Sequence, residues 1–186
     1  MMDLFDTILI AIDSAGGTIS GRTTIQKLVY YFKEKGLVEV NYRPYYYGPF
    51  SSDVTCTLEA LVTYEFLGDI METPDTTGYA NVNPDWKRYT YRITEDGQQV
   101  VSMLKSNYRA EVEQISEIVR ICNRHNQLDP NALSWAAKVH YILMQNRAIT
   151  GADGVKTAAS EYNWDLSESQ IEQGTDLLQK LDLLPR

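Results

Sequence analysis

Apolar residues recur every three or four positions along most of the chain, which is the spacing of amphipathic helices. In the N-terminal part this pattern predicts helices over residues 3–15, 20–36 and 51–68. Glycine follows the first of these helices and closes the second and the third, as is common at helix C-termini. The N-terminal part is therefore expected to begin with three helices.

The pattern changes from helical spacing to strand alternation after the third helix. Residues 69–74 and 86–94 read as strands, and a polar stretch separates them, so they predict a β-hairpin with a long tip. Three helices followed by a hairpin is the element order of a winged helix, in which a helix-turn-helix precedes a wing. We therefore expect a mainly α fold with a small β-hairpin, with a winged-helix-like module at residues 1–105.

The C-terminal part, residues 106–186, is expected to be an all-helical extension. Positions 108–122 carry apolar residues at alternating spacings of four and three, a short heptad run that predicts packing against another helix and a candidate homodimer surface. Residues 149–184 also echo residues 19–70, because each has Ile-Ser/Thr-Gly, a helix, a capped turn and a leucine-ended helix. The extension is therefore a candidate second helix-turn-helix unit.

Composition narrows the classes of partner and compartment. The chain has 186 residues, of which 17 are basic and 25 acidic, with a net charge of −8. This balance disfavours a surface that wraps a polyanion and leaves room only for a focused basic patch. Its two cysteines, Cys56 and Cys122, are not in a paired spacing, which favours a reducing compartment. No basic segment precedes the N-terminal apolar run, unlike in a signal peptide, so we expect a cytoplasmic protein.

Three stretches carry a resemblance to known proteins: ISGRTTIQKLVYYFKEKGL, YYYGPFSSDVTCTLEAL and LGDI. Together they resemble the YwgA-like family of uncharacterised prokaryotic proteins and, more distantly, the Panacea antitoxin domain. The motif positions are Gln26, Lys27, Leu28 and Tyr31 in the helix, and Tyr47, Gly48, Pro49 and Ser51 in the turn. The resemblance implies a winged-helix-like fold with no assigned reaction and, for the Panacea relatives, the binding and neutralising of partner proteins.

The turn motif lies in YRPYYYGPFSSDV, where aromatic side chains crowd around a Gly-Pro pair. Successive side chains of an extended chain point to opposite sides. We therefore expect Tyr47 to pack inward near Tyr31, and Tyr46 to face solvent together with Arg43.

Aromatic and arginine side chains make up the predicted partner surface, because such residues dominate the centres of protein interfaces. The candidate members are Arg43, Tyr46, Phe50, Trp86, Arg88 and Arg92. The leading interpretation is a non-catalytic interaction or regulatory module that binds a protein partner, as an antitoxin or an adaptor does. The alternative is a DNA-binding transcriptional regulator that uses the wing, where Arg88 and Arg92 share a strand face. Against it, residues 51–66 include three acidic residues and no Lys or Arg.

A third interpretation is nucleotide binding at GGTISGRT, which begins at Gly16 and ends at Thr23. Its spacing is that of a phosphate-binding loop, which follows a strand and precedes a helix. Arg22 stands where such loops have lysine, and the two side chains are not interchangeable there. A glycine turn that caps a helix is the favoured interpretation.

The sequence offers no convincing combination of residues for a catalytic or metal-binding site. Cys122 and His125 have a C-x-x-H spacing, but two cysteines and two histidines do not assemble a usual four-ligand site without carboxylates. A helix also leaves this pair without a third group to orient the histidine. We therefore expect no enzyme activity, no cofactor and no bound metal.

Overall fold

The computed structural model of the chain describes residues 2–72 and 88–184, with the backbone alone at Glu72 and Arg88. Within these ranges it has eight α-helices and five short strands. The helices are α1 (Leu4–Ser14), α2 (Arg22–Glu34), α3 (Ser52–Thr63), α4 (Glu95–Asn107), α5 (Arg109–Asn126), α6 (Pro130–Gln145), α7 (Gly151–Glu161) and α8 (Glu168–Lys180). The strands are β1 (Thr18–Ser20), β2 (Arg43–Tyr45), β3 (Gly48–Phe50), β4 (Leu67–Glu72) and β5 (Arg88–Ile93). The mainly α character of the predicted fold, with small antiparallel sheets, is confirmed.

Helix α1 lies at the centre of the hydrophobic core. Its residues 7–12 are all buried, because α2, α3, α4 and α5 pack around it together with β5. Six consecutive buried positions cover every side of a helix, so this part of α1 needs packing partners all around it. Asp3 caps the helix, and its carboxylate accepts a hydrogen bond from the Asp6 backbone N–H at 2.8 Å.

Three strands form an antiparallel sheet in the order β1-β5-β4. Ile19 of β1 and Asp69 of β4 both lie opposite Tyr91 of β5. The pairing of β4 with β5 matches the two predicted strands, whereas the predicted long tip lies outside the described residues. Strand β1 was not predicted, because three residues are too few to show alternation and their pairing partner lies far along the chain.

The third helix ends earlier than the sequence indicates. Helix α3 ends at Thr63, and Glu65 adopts a φ of 62° in the left-handed region. The Phe66 backbone N–H donates to the Leu61 carbonyl at 3.0 Å, as in a Schellman C-cap. Gly68 therefore lies inside β4, and the prediction that it closes the helix is wrong because a non-glycine residue takes the left-handed position.

The heptad run in α5 packs inside the chain. Val112, Ile115, Val119 and Cys122 are buried, and α5 contacts α1, α2 and α4. The predicted packing against another helix is found within the chain, and a homodimer through this helix stays a prediction without support from these four residues. The apolar stripe serves intramolecular packing and is not free for a second copy.

The hydrophobic core continues across the predicted boundary between residues 105 and 106. Helix α2 packs against α6, and the Tyr31 hydroxyl donates to the Leu133 carbonyl at 2.6 Å. Helix α6 also packs closely on α8, where Gly174 lies against the backbone of Ala136. The C-terminal helices thus share one core with the N-terminal ones.

The repeated Ile-Ser/Thr-Gly motif precedes or begins a helix in both of its copies. Gly21, with a φ of 92°, is the N-cap of α2, and Gly151, with a φ of 72°, is the first residue of α7. Positive φ favours glycine, which explains why both copies of the motif have glycine at this position. Helices α7 and α8 pack on each other after the second copy.

Candidate functional site

Strands β2 and β3 pair antiparallel and form a hairpin that we call the tyrosine hairpin, residues 43–50. Tyr45 lies opposite Gly48, and Tyr46 and Tyr47 make the turn between the strands. Gly48 has a φ of 100°, a conformation that side chains disfavour, so the hairpin depends on glycine here. The hairpin lies in the second half of the connection between α2 and α3, residues 35–51.

Three adjacent tyrosines of the hairpin face solvent. Tyr45 is 56% exposed, Tyr46 76% and Tyr47 57%. The rings of Tyr46 and Tyr47 meet edge to face with centroids 5.0 Å apart, and the ring of Tyr45 packs on Phe50 at 5.1 Å. Arg43, on the same hairpin, is also exposed. Large aromatic side chains gathered at one exposed place are typical of an interaction surface.

Of the two predictions about Tyr46 and Tyr47, the structure agrees with the first and contradicts the second. Tyr46 is exposed as expected, but the prediction that Tyr47 packs inward near Tyr31 is wrong. Tyr47 belongs to the turn and not to a strand, so strand alternation does not decide its direction. Tyr31 is instead buried among the core helices, as is Leu28 of the same motif. The tyrosine that packs inward is Tyr42, whose hydroxyl donates to a backbone carbonyl of α2 at 2.8 Å.

Helix α2 holds one side of the hairpin through the polar residues of its motif. The Gln26 amide makes two hydrogen bonds to the Ser51 backbone. Its Nε2 donates to the Ser51 carbonyl at 2.7 Å, and its Oε1 accepts from the Ser51 N–H at 3.0 Å. The Lys27 ammonium donates to the Pro49 carbonyl at 2.7 Å. All four residues are buried. The two motifs therefore form one contact, in which the helix supplies side chains and the turn supplies backbone groups.

The C-terminal helices hold the other side of the hairpin. Trp164, in the connection between α7 and α8, donates its indole N–H to the Tyr45 carbonyl at 2.7 Å. The indole is 3% exposed, stacks on the ring of Tyr162 at 4.8 Å and meets Tyr141 edge to face at 5.8 Å. The sequence reasoning missed this residue. The available signal was a tryptophan in the short connection NWDLS, since a large ring in a polar stretch usually has a packing partner.

Two lysines lie under the tip of the hairpin. Lys27 is 2% exposed, and burial, together with the charge of Lys138, lowers its pKa to about 7. Burial also lowers the pKa of the half-buried Lys138, and the charge of Asp165 opposes this effect. A β-carbon at Gly48 would lie 3.6 Å from the Lys27 Nζ and 3.1 Å from the Lys138 Cγ. Within the described ranges, no carboxylate lies within 4.0 Å of either ammonium group.

Lys27 is expected to make the stability of the protein rise between about pH 7 and pH 8.5. The unfolded chain holds this proton up to about pH 10.4, whereas the folded chain releases it near pH 7 because the pKa is lowered to about 7. The unfolded state binds more protons in this window, so the free energy of unfolding increases with pH by at most about 1.4 kcal/mol per pH unit. The gain is lost as the pH falls through the folded pKa. Lys27→Met should remove the rise in urea unfolding measured at several pH values.

The matched control for this measurement is Lys156→Met, on the exposed side of α7. It removes a lysine without touching the buried one, so it should keep the wild-type rise. The upper end of the window is set by Cys122, because burial raises the pKa of its thiol to about 12 and its contribution has the opposite sign above about pH 8.5. An equal rise in Lys27→Met and in the wild type would show that Lys27 stays charged in the folded protein.

The backbones of the two arginines of the predicted wing lie on β5 and not on the strands of the tyrosine hairpin. Arg92 is exposed on β5, in the three-stranded sheet. Arg88 begins β5, but its side chain lies outside the described part of the chain, as does the whole of Trp86. The predicted partner residues that the structure brings together in the hairpin are Arg43, Tyr46 and Phe50.

The stretch from Gly16 to Thr23 does not have the layout of a phosphate-binding loop. The apolar run before it forms α1 and not a strand, and the stretch itself contains β1 and the start of α2. The Arg22 Nε donates to the Tyr91 hydroxyl at 2.9 Å, and its guanidinium lies 4.4 Å from the centre of the Tyr89 ring. Arg22 is thus engaged with the sheet.

Cys122 and His125 do not form a site together. Burial raises the pKa of the Cys122 thiol, which disfavours the reactive thiolate. His125 lies 3.4 Å from the carboxylate of Asp176 on α8. Over residues 2–72 and 88–184, no group of three or more His, Cys, Asp or Glu side chains is placed to hold a metal ion.

Comparison with known proteins adds no family to this description: no family model matches the chain, and no curated protein matches it at a significant level. The resemblance to the YwgA-like family and to the Panacea antitoxin domain therefore stays a prediction from the motifs. In the part of the chain that the structure describes, no helix is both long enough and apolar enough for a membrane span.

Proposed function

We propose that the chain is a cytoplasmic, non-catalytic interaction module that binds a protein partner through the tyrosine hairpin. The observation that carries the proposal is a row of three tyrosines, each more than half exposed, on a hairpin whose backbone is held from both sides. Its two free cysteines, Cys56 and Cys122, are in keeping with a reducing compartment. The specific role we propose is that of an antitoxin or adaptor, which masks or recruits the protein it binds.

We assign the N-terminal part to a winged-helix-like class on its element order. Elements α1, β1, α2, α3, β4 and β5 belong to this part, and β1 pairs with β5. This order supports a helix-turn-helix followed by a wing, with the tyrosine hairpin inserted between α2 and α3. Because a fold alone assigns no function, the functional proposal rests on the hairpin.

Exposed tyrosines on a held backbone suit protein recognition for an energetic reason. Tyrosine offers a large contact area and loses little side-chain entropy on binding. A hairpin that is already ordered loses little further backbone entropy when a partner docks. Gln26, Lys27 and Trp164 supply this order before any partner arrives.

A photocrosslinking amino acid at position 46 tests the proposal. With p-benzoylphenylalanine in place of Tyr46, the chain should cross-link to a defined protein in cells. The matched control carries the same group in place of Tyr64, which is 67% exposed at the other end of α3. Cross-links to the same proteins from both positions, or none from position 46, would count against the tyrosine hairpin as the partner site.

DNA binding through the wing is the second candidate, favoured by the exposed Arg92 on β5. We expect no sub-micromolar binding of duplex DNA at physiological salt, because α3 bears exposed Asp53 and Glu59 and has no Lys or Arg to contact phosphates. Fluorescence anisotropy with a mixed-sequence duplex, at low and at physiological salt, checks this. Salt-sensitive binding that is lost in Arg88→Ala and Arg92→Ala, but kept in Arg147→Ala, would favour a DNA-binding regulator instead.

A further inference from the structure

We propose that the tyrosine hairpin binds an acidic peptide segment of its partner, with apolar side chains of the segment on the tyrosines and a carboxylate at Lys138. This inference rests on the proposed function, since it names the chemistry of the partner at the same surface. It follows from the charges beneath the hairpin and from the finding that, within the described ranges, no carboxylate lies within 4.0 Å of the Lys27 or Lys138 ammonium group.

The hairpin is a locally positive place in an acidic protein. The whole chain has a net charge of −8, yet Arg43 lies on the hairpin, Lys27 binds its Pro49 carbonyl and Lys138 packs against its Gly48. Asp165 is the acidic group whose charge acts on Lys138, but it is not within 4.0 Å of that ammonium. The positive charge is therefore only partly balanced by the protein itself.

Lys138 is the lysine that a partner can reach. Lys27 is almost completely buried and its ammonium already donates to a carbonyl, whereas Lys138 is half-buried. The Lys138 ammonium lies 5.7 Å from the centre of the Trp164 ring, in a partly desolvated position where a charge pair is stronger than in open water. A carboxylate bound there would also favour the protonated form of Lys27, whose pKa burial and the charge of Lys138 lower to about 7.

Single-stranded nucleic acid is the other anion that stacking tyrosines could bind. Its backbone requires several cations in a row along a groove. After the hairpin the chain instead continues into α3, whose first turns expose Asp53 and then Glu59. One accessible ammonium group, that of Lys138, therefore suits a single carboxylate of a peptide better than a run of phosphates.

Selection from a random peptide library displayed on phage tests the inference with the full chain. The enriched peptides should combine apolar residues with Asp or Glu. For a synthetic copy of the strongest peptide, Lys138→Met should weaken binding about tenfold or more, and Lys138→Arg should keep most of the affinity. Glu→Gln or Asp→Asn at the critical peptide position should cause a similar loss, and the two losses should not add, because both remove the same charge pair. Lys156→Met is the matched control and should bind like the wild type.

The outcomes separate this inference from the proposed function. The enriched peptides could lack acidic residues, bind Lys138→Met as well as the wild type and bind Tyr46→Ala more weakly. That result would contradict the inference of an acidic segment but keep the hairpin as a protein-binding site. No enrichment over the Tyr46→Ala variant would overturn both. Tighter binding of labelled oligothymidine than of any selected peptide would also overturn the inference, in favour of single-stranded nucleic acid.

Discussion

Replacing Trp164 with alanine is expected to lower the free energy of unfolding by about 3 to 5 kcal/mol, the range typical of a buried tryptophan. The indole is 3% exposed, stacks on Tyr162 and donates to the Tyr45 carbonyl. Its loss removes packing from the C-terminal helices and also one of the contacts that hold the tyrosine hairpin. Urea unfolding followed by circular dichroism measures the first effect. Chymotrypsin cleavage of the native protein after Tyr45, Tyr46 or Tyr47 measures the second, because a released hairpin is cut faster.

The matched variant for this prediction is Trp164→Phe. It keeps an aromatic ring in the cavity but removes the donor to the Tyr45 carbonyl, so we expect a smaller loss of about 1 to 2 kcal/mol. Cleavage at the hairpin should increase in both variants, since both lose the hydrogen bond. A Trp164→Ala protein that is destabilised without faster cleavage there would show that Trp164 supports the core alone.

Replacing Tyr46 with alanine is expected to weaken partner binding by about 2 kcal/mol, or roughly thirtyfold, the effect of an interface hot spot. Tyr46 is the most exposed tyrosine of the hairpin, at 76%, and its ring contacts only the neighbouring Tyr47 among the ring pairs described. Its removal should therefore change the free energy of unfolding by no more than about 0.5 kcal/mol. Titration of the cross-linked partner, once purified, against wild type and variant measures the affinity.

Tyr64→Ala is the control for Tyr46→Ala. It removes a tyrosine of comparable exposure, 67%, from the C-terminal end of α3. Partner affinity should stay at the wild-type level in this variant. Equal losses of partner affinity in the two variants would show that the partner surface extends beyond the hairpin. Unchanged affinity in both variants would show that the hairpin is not part of the partner surface.

The parts of the fold that follow from local spacing were predictable. The apolar stripes of α1, α2 and α5 and the hairpin of β4 with β5 are visible in the sequence, because each element must bury one side. The prediction errors arise where the rule that was applied to a residue does not govern its conformation. Glu65 takes the left-handed position that Gly68 was expected to provide, and Tyr47 lies in a turn where strand alternation does not hold.

The candidate site was predictable only in part. The exposure of Tyr46 was predicted from the sequence, and the unusual aromatic run around the Gly48-Pro49 pair pointed to the right segment. The structure places this pair in β3 and the turn at Tyr46 and Tyr47. The contacts of Trp164 and Lys138 with the hairpin were not predictable. Both residues lie far along the chain in segments whose own pattern indicates only a connection and a helix.

By itself, the sequence determined the helical elements, the overall acidity and the two motifs around Lys27 and Pro49. Tertiary structure alone decided that these motifs bind each other, that the C-terminal helices support the hairpin from its other side, and that the heptad stripe at 108–122 is used inside the chain. The physical reason is that periodicity shows which side of an element must be buried, whereas the element that buries it is chosen by the packing of the whole chain.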